Sequence, residues 1–189
     1  SDMWVTEKID GTNAAVVIEE VDDPAFAGDD RDLVFVNEDP TESFGVFYQA
    51  GAQSRNRAIT PEDDNYGFAA WVRENAVSLV GDLGPGYHYG EWFGSGIQRG
   101  YVLDHKRFAL FNSGRWLDAS FETPNLTVVP LLYRGPFSES KIQDCLESLN
   151  RFGSCVSRDR FRNPEGVIVY HEKSRTSFKV TLDGDGHKG

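Results

Sequence analysis

Two β-rich runs, Trp4 to Lys8 and Asn13 to Ile18, meet across Asp10-Gly11. Asp-Gly between such runs is a hairpin-type turn signal, so the two runs are expected to form neighbouring antiparallel strands. The first run ends in Lys8, beside apolar strand residues and two places before the turn. A lysine there is a poor surface residue and a candidate nucleophile. Taken alone, its ordinary reading is a solvated charge beside a turn, so its meaning depends on the residues further along.

Those residues continue in the same style. Val21 to Asp32 is rich in Asp, Pro and Gly and reads as an excursion, followed by short β-rich runs at Leu33 to Val36 and Phe44 to Gln49. Phe68, Trp71, Val72, Ala76, Leu79 and Val80 recur at helical spacing, with Asp64 or Asn65 as cap and Gly81 as stop. Tyr87 to Gly94, Phe108 to Phe111 and Leu126 to Leu132 are strand-like or apolar runs. A second amphipathic helix is expected from Ser138 to Gly153, and strands at Glu165 to Tyr170 and Thr176 to Leu182 close the chain. There is no internal repeat. The expectation is a single α+β domain over 1–189, dominated by antiparallel sheet.

Composition narrows the function classes. A chain of 189 residues buries a full core without staples, and its two cysteines, Cys145 and Cys155, indicate no disulfide framework. Cys145 falls on an apolar helical position and is expected to be a buried thiol. No apolar run approaches the roughly 20 residues a membrane span needs. Without a signal pattern at its start, the chain is expected to be cytoplasmic. The net charge of −11 argues against a protein that coats nucleic acid generally. That charge is uneven: an acidic loop excursion at about 19–42 carries ten acidic residues against Arg31, while Arg151 onward carries eight basic and five acidic residues.

Charged residues inside β-rich runs carry more information. Glu91 lies between Tyr89 and Trp92, Glu165 precedes Val167-Ile168-Val169, and Lys179 lies between Phe178 and Val180. Burying such a charge costs several kcal/mol (order of magnitude) unless it is paired or binds a metal. Mutual pairing, for example Glu91 with Arg55, is one solution. Two carboxylates and two lysines suit a phosphate and metal site better.

Five stretches in order then resemble a known superfamily. Lys8-Ile9-Asp10-Gly11 resembles the nucleophile motif of the covalent nucleotidyltransferases, which comprise DNA ligases, RNA ligases and mRNA-capping enzymes. Ser54-Arg55 resembles the motif that follows it, Gly90-Glu91 the third with Phe108 to Phe111 as its aromatic follower, Glu165 to Val169 the fourth, and Phe178-Lys179-Val180 the fifth. Glu7-Lys8-Ile9-Asp10-Gly11-Thr12-Asn13 and Gly94-Ser95-Gly96-Ile97-Gln98 are most similar to ATP-dependent RNA ligases of the nick-sealing and RNA-editing type, where Asn stands in place of the Arg of DNA ligases.

The resemblance implies an antiparallel-sheet-rich nucleotidyltransferase fold of the ATP-grasp-like ligase adenylylation kind, using ATP with Mg²⁺ or Mn²⁺. It implies that Lys8 takes AMP from ATP and passes it to an RNA 5′-phosphate, and that a 3′-OH then seals the strand, with free RNA ends or a nicked duplex as the partner. An attacking lysine must be neutral, against an unperturbed pKa of about 10.4, so nearby cations are expected. By the same resemblance, Glu7, Asp10, Gly11, Arg55, Glu91, Phe111 and Lys179 hold the nucleotide and Glu165 binds the metal. Glu7 acts through its backbone near adenine, Arg55 on ribose or phosphate, Glu91 on the ribose hydroxyl and Lys179 on the α-phosphate. Asn13 serves RNA sealing, and Arg57 and Arg99 contact RNA, with Arg57 able to assist or replace Arg55.

Several points stay open at the level of sequence. Phe108 and Phe111 fall on opposite faces of one strand, so only one can stack on adenine. The fifth motif often has two lysines one residue apart, where this chain has Lys179 and Thr181. Superfamily members usually carry structure before the nucleophile strand, and DNA ligases and capping enzymes add an oligonucleotide-binding barrel after the fifth motif, so the chain reads either as a minimal ligase or as a catalytic domain without its flanking pieces. The rival readings are a DNA ligase or guanylyltransferase core and, from another class, a non-catalytic nucleotide- or RNA-binding module.

Overall fold

The computed structural model describes residues 2–26, 31–36, 45–158 and 163–182. Its strands are β1 (Asp2–Lys8), β2 (Thr12–Val21), β3 (Asp32–Val36), β4 (Val46–Ser54), β5 (Ala58–Ile59), β6 (Gly86–Gly94), β7 (Lys106–Leu110), β8 (Leu126–Val128), β9 (Leu131–Pro136), β10 (Gly166–His171) and β11 (Thr176–Thr181). Its α-helices are α1 (Phe68–Glu74), α2 (Ala76–Leu83), α3 (Ser113–Trp116) and α4 (Glu139–Phe152). This is the expected α+β, sheet-rich architecture, antiparallel throughout except where β7 meets β8 in parallel.

The strands form two sheets, ordered β11-β10-β1-β9 and β3-β4-β2-β6-β7-β8, with β5 on β4. The hairpin expected across Asp10-Gly11 does not form: β1 lies in the smaller sheet and β2 in the larger. Tertiary contacts override the local turn signal. The Asp10 amide donates to the Tyr101 hydroxyl at 2.7 Å rather than to a strand partner. A Cβ on Gly11 would lie 2.3 Å from the Trp92 carbonyl oxygen, so only glycine lets the chain pass this close to β6.

A second crossing runs beside the first. The apolar run Leu126 to Leu132 is not one strand but β8 and β9, in different sheets, split at Val129-Pro130. Proline has no amide to continue a ladder. The Pro130 carbonyl accepts from the Glu7 amide at 2.9 Å, and the Val129 amide donates to Leu110 at 3.0 Å. The two sheets are thus stitched together where the chain passes between them.

Helices cover the outer face of each sheet. Phe68, Trp71 and Leu79 of α1 and α2 pack on Val16, Ile18, Trp92 and Phe108 of the larger sheet. Ile142, Leu146 and Leu149 of α4 pack with the buried Cys145 on Met3, Val5, Val167 and Val169 of the smaller. Helix α4 matches its expected span, capped by Ser138, whose hydroxyl accepts from the Lys141 amide at 3.3 Å. The other expected helix is two: Asn75 breaks it, donating its side-chain amide to the Trp71 carbonyl at 2.8 Å. Gly81 lies inside α2, and the stop is Gly84. Asp64 does serve the helix start, but from a distance, accepting from the Ala69 and Ala70 amides at 2.8 and 3.0 Å.

The acidic excursion is partly ordered sheet. β2 runs on to Val21 and β3 forms the edge of the larger sheet, where Glu19 pairs with Arg31 at 2.5 Å. The acidic residues at 29–30 and 38–42, and the start of the run at Phe44, lie outside the described residues. Among the described residues no helix is long and apolar enough to cross a membrane.

Candidate active site

With helices on their outer faces, the two sheets turn their other faces towards one another across a cavity of about 1050 Å³. Strand parity decides what enters it. From the smaller sheet come Trp4, Thr6 and Lys8 of β1, Ile168 and Tyr170 of β10, and Lys179 of β11. From the larger come Asn13, Arg55, Tyr87, Tyr89, Glu91 and Phe111.

Lys8 ends β1 opposite Gly166, the first residue of β10, which sets it beside Glu165. A Cβ on Gly166 would lie 2.1 Å from the Val180 carbonyl oxygen, and its φ of 148° is a glycine conformation, so glycine is a steric necessity directly after Glu165. Lys8 Nζ and Glu165 Oε1 form an ion pair at 2.5 Å, both side chains about one-fifth exposed. The second oxygen, Glu165 Oε2, is buried and has no hydrogen-bond partner among the described residues. Arg99 Nη1 lies 3.9 Å from it, and the same nitrogen pairs with Asp10 Oδ2 at 3.0 Å.

Across the cavity, Glu91, Asn13 and Arg55 form one cross-strand row on β6, β2 and the end of β4. With the Asn13 amide oriented to satisfy both neighbours, its nitrogen donates to Glu91 Oε1 at 2.7 Å. Its oxygen then accepts from Arg55 Nε at 3.2 Å and Nη2 at 2.6 Å. The pairing of Glu91 with Arg55 therefore runs through Asn13. Burial pushes the Glu91 carboxyl up to about 7; Lys8 pulls the other way, and Glu165 and Asp10 add to the rise. A carboxyl poised near neutrality in a cleft is a mark of a functional site.

The RNA ligase family model matches residues 1–181. The chain belongs to the RNA ligase family. A solved structure of similar fold is a point mutant of Naegleria gruberi RNA ligase with AMP and Mn. It is 17% identical, with a TM-score of 0.57, and the match covers 100% of this chain and 52% of that one, so the chain spans about half that protein's length. No curated protein matches.

Within this RNA ligase family chain, several residues read from the sequence fall into place. Phe108 is fully buried against Phe68 and Trp71, whereas Phe111 is 44% exposed and borders the cavity. Lys179 also borders it, but as an exposed residue, so the burial cost argued for a lysine between Phe178 and Val180 does not arise. Among the described residues the strand is an edge, paired with β10 on one side. Asp10 and Gly11 form the crossing itself.

Others are placed differently from their neighbours. The Glu7 side chain is 1% exposed and turns from the cavity interior into the loop after α4. Its Oε2 accepts from Ser154 Oγ at 2.5 Å and its Oε1 from the Cys155 amide at 2.7 Å. Burial raises its pKa, and these hydrogen bonds oppose the rise. Arg57 forms an exposed ion pair with Asp63 at 2.7 Å and does not line the cavity. Arg99 faces inward to Asp10.

Sequence reasoning missed Tyr101, Ser154, and the aromatic pair Tyr87 and Tyr89. Tyr101 and Ser154 are joined to the site only by distant chain contacts. Tyr87 and Tyr89 did carry a signal, since they stand at period two from Glu91 on one strand and must share its face.

Proposed function

We propose that residues 1–189 form the adenylyltransferase domain of an ATP-dependent RNA ligase, with Lys8 as nucleophile. The observation that carries this reading is the Lys8 amine inside a cavity, ion-paired to Glu165 and facing the row Glu91-Asn13-Arg55. Lys8, held here as an ammonium against Glu165, must first give up a proton; the neutral amine then attacks the α-phosphorus of ATP: a P–N bond forms, the bond to the bridging oxygen breaks, and pyrophosphate leaves. A 5′-phosphate oxygen of an RNA end then displaces Lys8 from that phosphorus. Last, a 3′-OH attacks the activated 5′-phosphate, forming the phosphodiester and releasing AMP.

The side chains divide these tasks. Phe111 offers a ring face for adenine, Glu91 an acceptor for a ribose hydroxyl, and Lys179 and Arg55 positive charge for phosphate. Asn13 holds Glu91 and Arg55 in register, and through them acts on the sealing step. Arg57 is placed outside this group, available to RNA beyond it. The Naegleria protein was solved with Mn. A divalent cation fits this chain at Glu165, whose buried Oε2 has no hydrogen-bond partner among the described residues. Among the described residues no group of three or more His, Cys, Asp or Glu could cage an ion. One carboxylate completed by phosphate oxygens and water is how Mg²⁺ is commonly held. When bound, such an ion supplies charge neutralisation to the phosphates.

The test is incubation with each labelled nucleoside triphosphate and Mg²⁺, followed by denaturing electrophoresis. Wild type should acquire AMP, and Lys8→Ala should acquire nothing. An adduct that survives Lys8→Ala removes the mechanism, and GMP in place of AMP moves the chain to guanylyl transfer.

A further inference from the structure

The cavity extends well beyond Lys8, to Tyr87, Arg115 and Glu172. Small-molecule sites occupy roughly 300–1,000 Å³, and this one reaches about 1050 Å³. Its reactive groups gather at one end, where β1 ends and β2 begins on either side of the crossing at Asp10-Gly11. Away from that crossing the larger sheet changes character row by row. Beyond Glu91-Asn13-Arg55 comes Tyr89 opposite Ala15, with Phe111 beside it, and beyond that Tyr87 opposite Val17.

Both tyrosines stand proud of the sheet. Tyr87 is 52% and Tyr89 56% exposed, while Ala15 and Val17 beside them are buried. Gln53 and Gly51 flank the same rows on β4. The two rings lie 6.3 Å apart and nearly parallel, at an interplanar angle of 22°. A smaller cavity of about 190 Å³ connects Tyr89 and Phe111 with Asn13 and Arg55.

Leaving two tyrosine faces in water is costly in apolar area and provides no core packing. The charges nearby indicate what covers them. In a chain of net charge −11, the cavity lining includes Lys8, Arg55, Arg115 and Lys179. Its acids are fewer, and Glu7 among them is bonded into the loop after α4. Exposed aromatic faces interleaved with cations, on a surface running out from a phosphate-transfer site, are the features that bind single-stranded nucleic acid by stacking.

We propose that Tyr87 and Tyr89 form a stacking platform for nucleobases of an RNA strand whose 5′-phosphate end reaches Lys8, with Arg55 meeting the intervening phosphate. The placement of that end rests on the ligase reading above; the platform itself rests on the aromatic rows. Stacking makes no use of base edges, so the platform takes any base.

The experiment is anisotropy titration of a labelled, 5′-phosphorylated single-stranded oligoribonucleotide at fixed salt. It compares wild type, Tyr87→Ala with Tyr89→Ala, and Tyr87→Phe with Tyr89→Phe. The alanine pair should bind about 5- to 150-fold more weakly for each stacked base lost, and the phenylalanine pair should bind like wild type. An alanine pair that binds RNA as wild type does overturns the proposal, as does a phenylalanine pair that loses as much as alanine. So does an alanine pair that only raises the KM for ATP, because adenine would then occupy the platform. Photocrosslinking of wild type with 5-iodouridine near the 5′ end adds a measurement free of mutation: crosslinks on the Tyr87–Tyr89 peptide support the platform, and crosslinks confined elsewhere overturn it. Lysyl-AMP formation on the same preparations separates the two readings. Tyrosine-dependent RNA binding without an adduct sinks the ligase reading alone, and an adduct with tyrosine-independent RNA binding sinks the platform alone.

Discussion

Glu7 and Glu91 are two carboxylates with almost the same burial and opposite uses. Both are less than one-tenth exposed, and burial raises the pKa of each. Glu7 spends both oxygens on Ser154 and Cys155, residues 147 and 148 positions away in sequence, and so ties the loop after α4 to β1. Glu91 takes one hydrogen bond from Asn13 and otherwise faces the cavity that holds Lys8. Burial by itself therefore does not identify a functional carboxylate. What distinguishes the two is whether the oxygens are already satisfied by the fold.

The sharpest way to break this contrast is Glu7→Ala. Removing the carboxylate strands the Ser154 hydroxyl and the Cys155 amide, each a desolvated donor, and should cost about 2–5 kcal/mol in urea unfolding. A loss below about 1 kcal/mol would mean that Glu7 is no clamp. Glu91→Gln probes the other side through pH. A folded pKa of about 7 against an ordinary 4.5 means that, between those values, the unfolded chain ionises this group while the folded chain keeps it protonated. Stability from Glu91 is thus full below about pH 4.5 and declines as pH rises to about 7, by on the order of 3 kcal/mol. Glutamine cannot titrate, so the wild-type minus Glu91→Gln difference should follow that decline even though Glu7 shifts in the same direction. A flat difference across the window would contradict the buried, cavity-facing assignment. The smallest effect belongs to Ser154→Ala, which removes one of the two hydrogen bonds on Glu7. It should lower stability by about 1–2 kcal/mol and leave lysyl-AMP formation at the wild-type rate. Slowed adduct formation in a fully folded variant would show that the clamp also positions Lys8.

The same contrast explains what could be read in advance. Helix α4 was legible because its signals are local: apolar residues at helical spacing, Ser138 before it and Gly153 after it. Lys8, Glu91 and Glu165 stood out because a charge inside a β-rich run needs a reason. The clamp on Glu7 was invisible, because nothing near Glu7 in sequence announces Ser154. The choice between Phe108 and Phe111 waited on the packing of α1, which covers the face carrying Phe108. Arg99 reads by resemblance as an RNA contact, but Asp10 draws it into the site.

The ordered motifs, the strand content and the opposite facing of neighbouring side chains follow from the chain itself, since period two and local caps need no distant partner. Those features also contain the family. The sequence could not reveal that Asp10-Gly11 joins two sheets rather than two strands of a hairpin. That was decided by Gly11 passing against Trp92 and by Tyr101 taking the Asp10 amide, contacts that span more than 80 residues. With a hairpin there, Lys8 and Asn13 would share one sheet. With a crossing, they face each other over the cavity in which the proposed chemistry takes place.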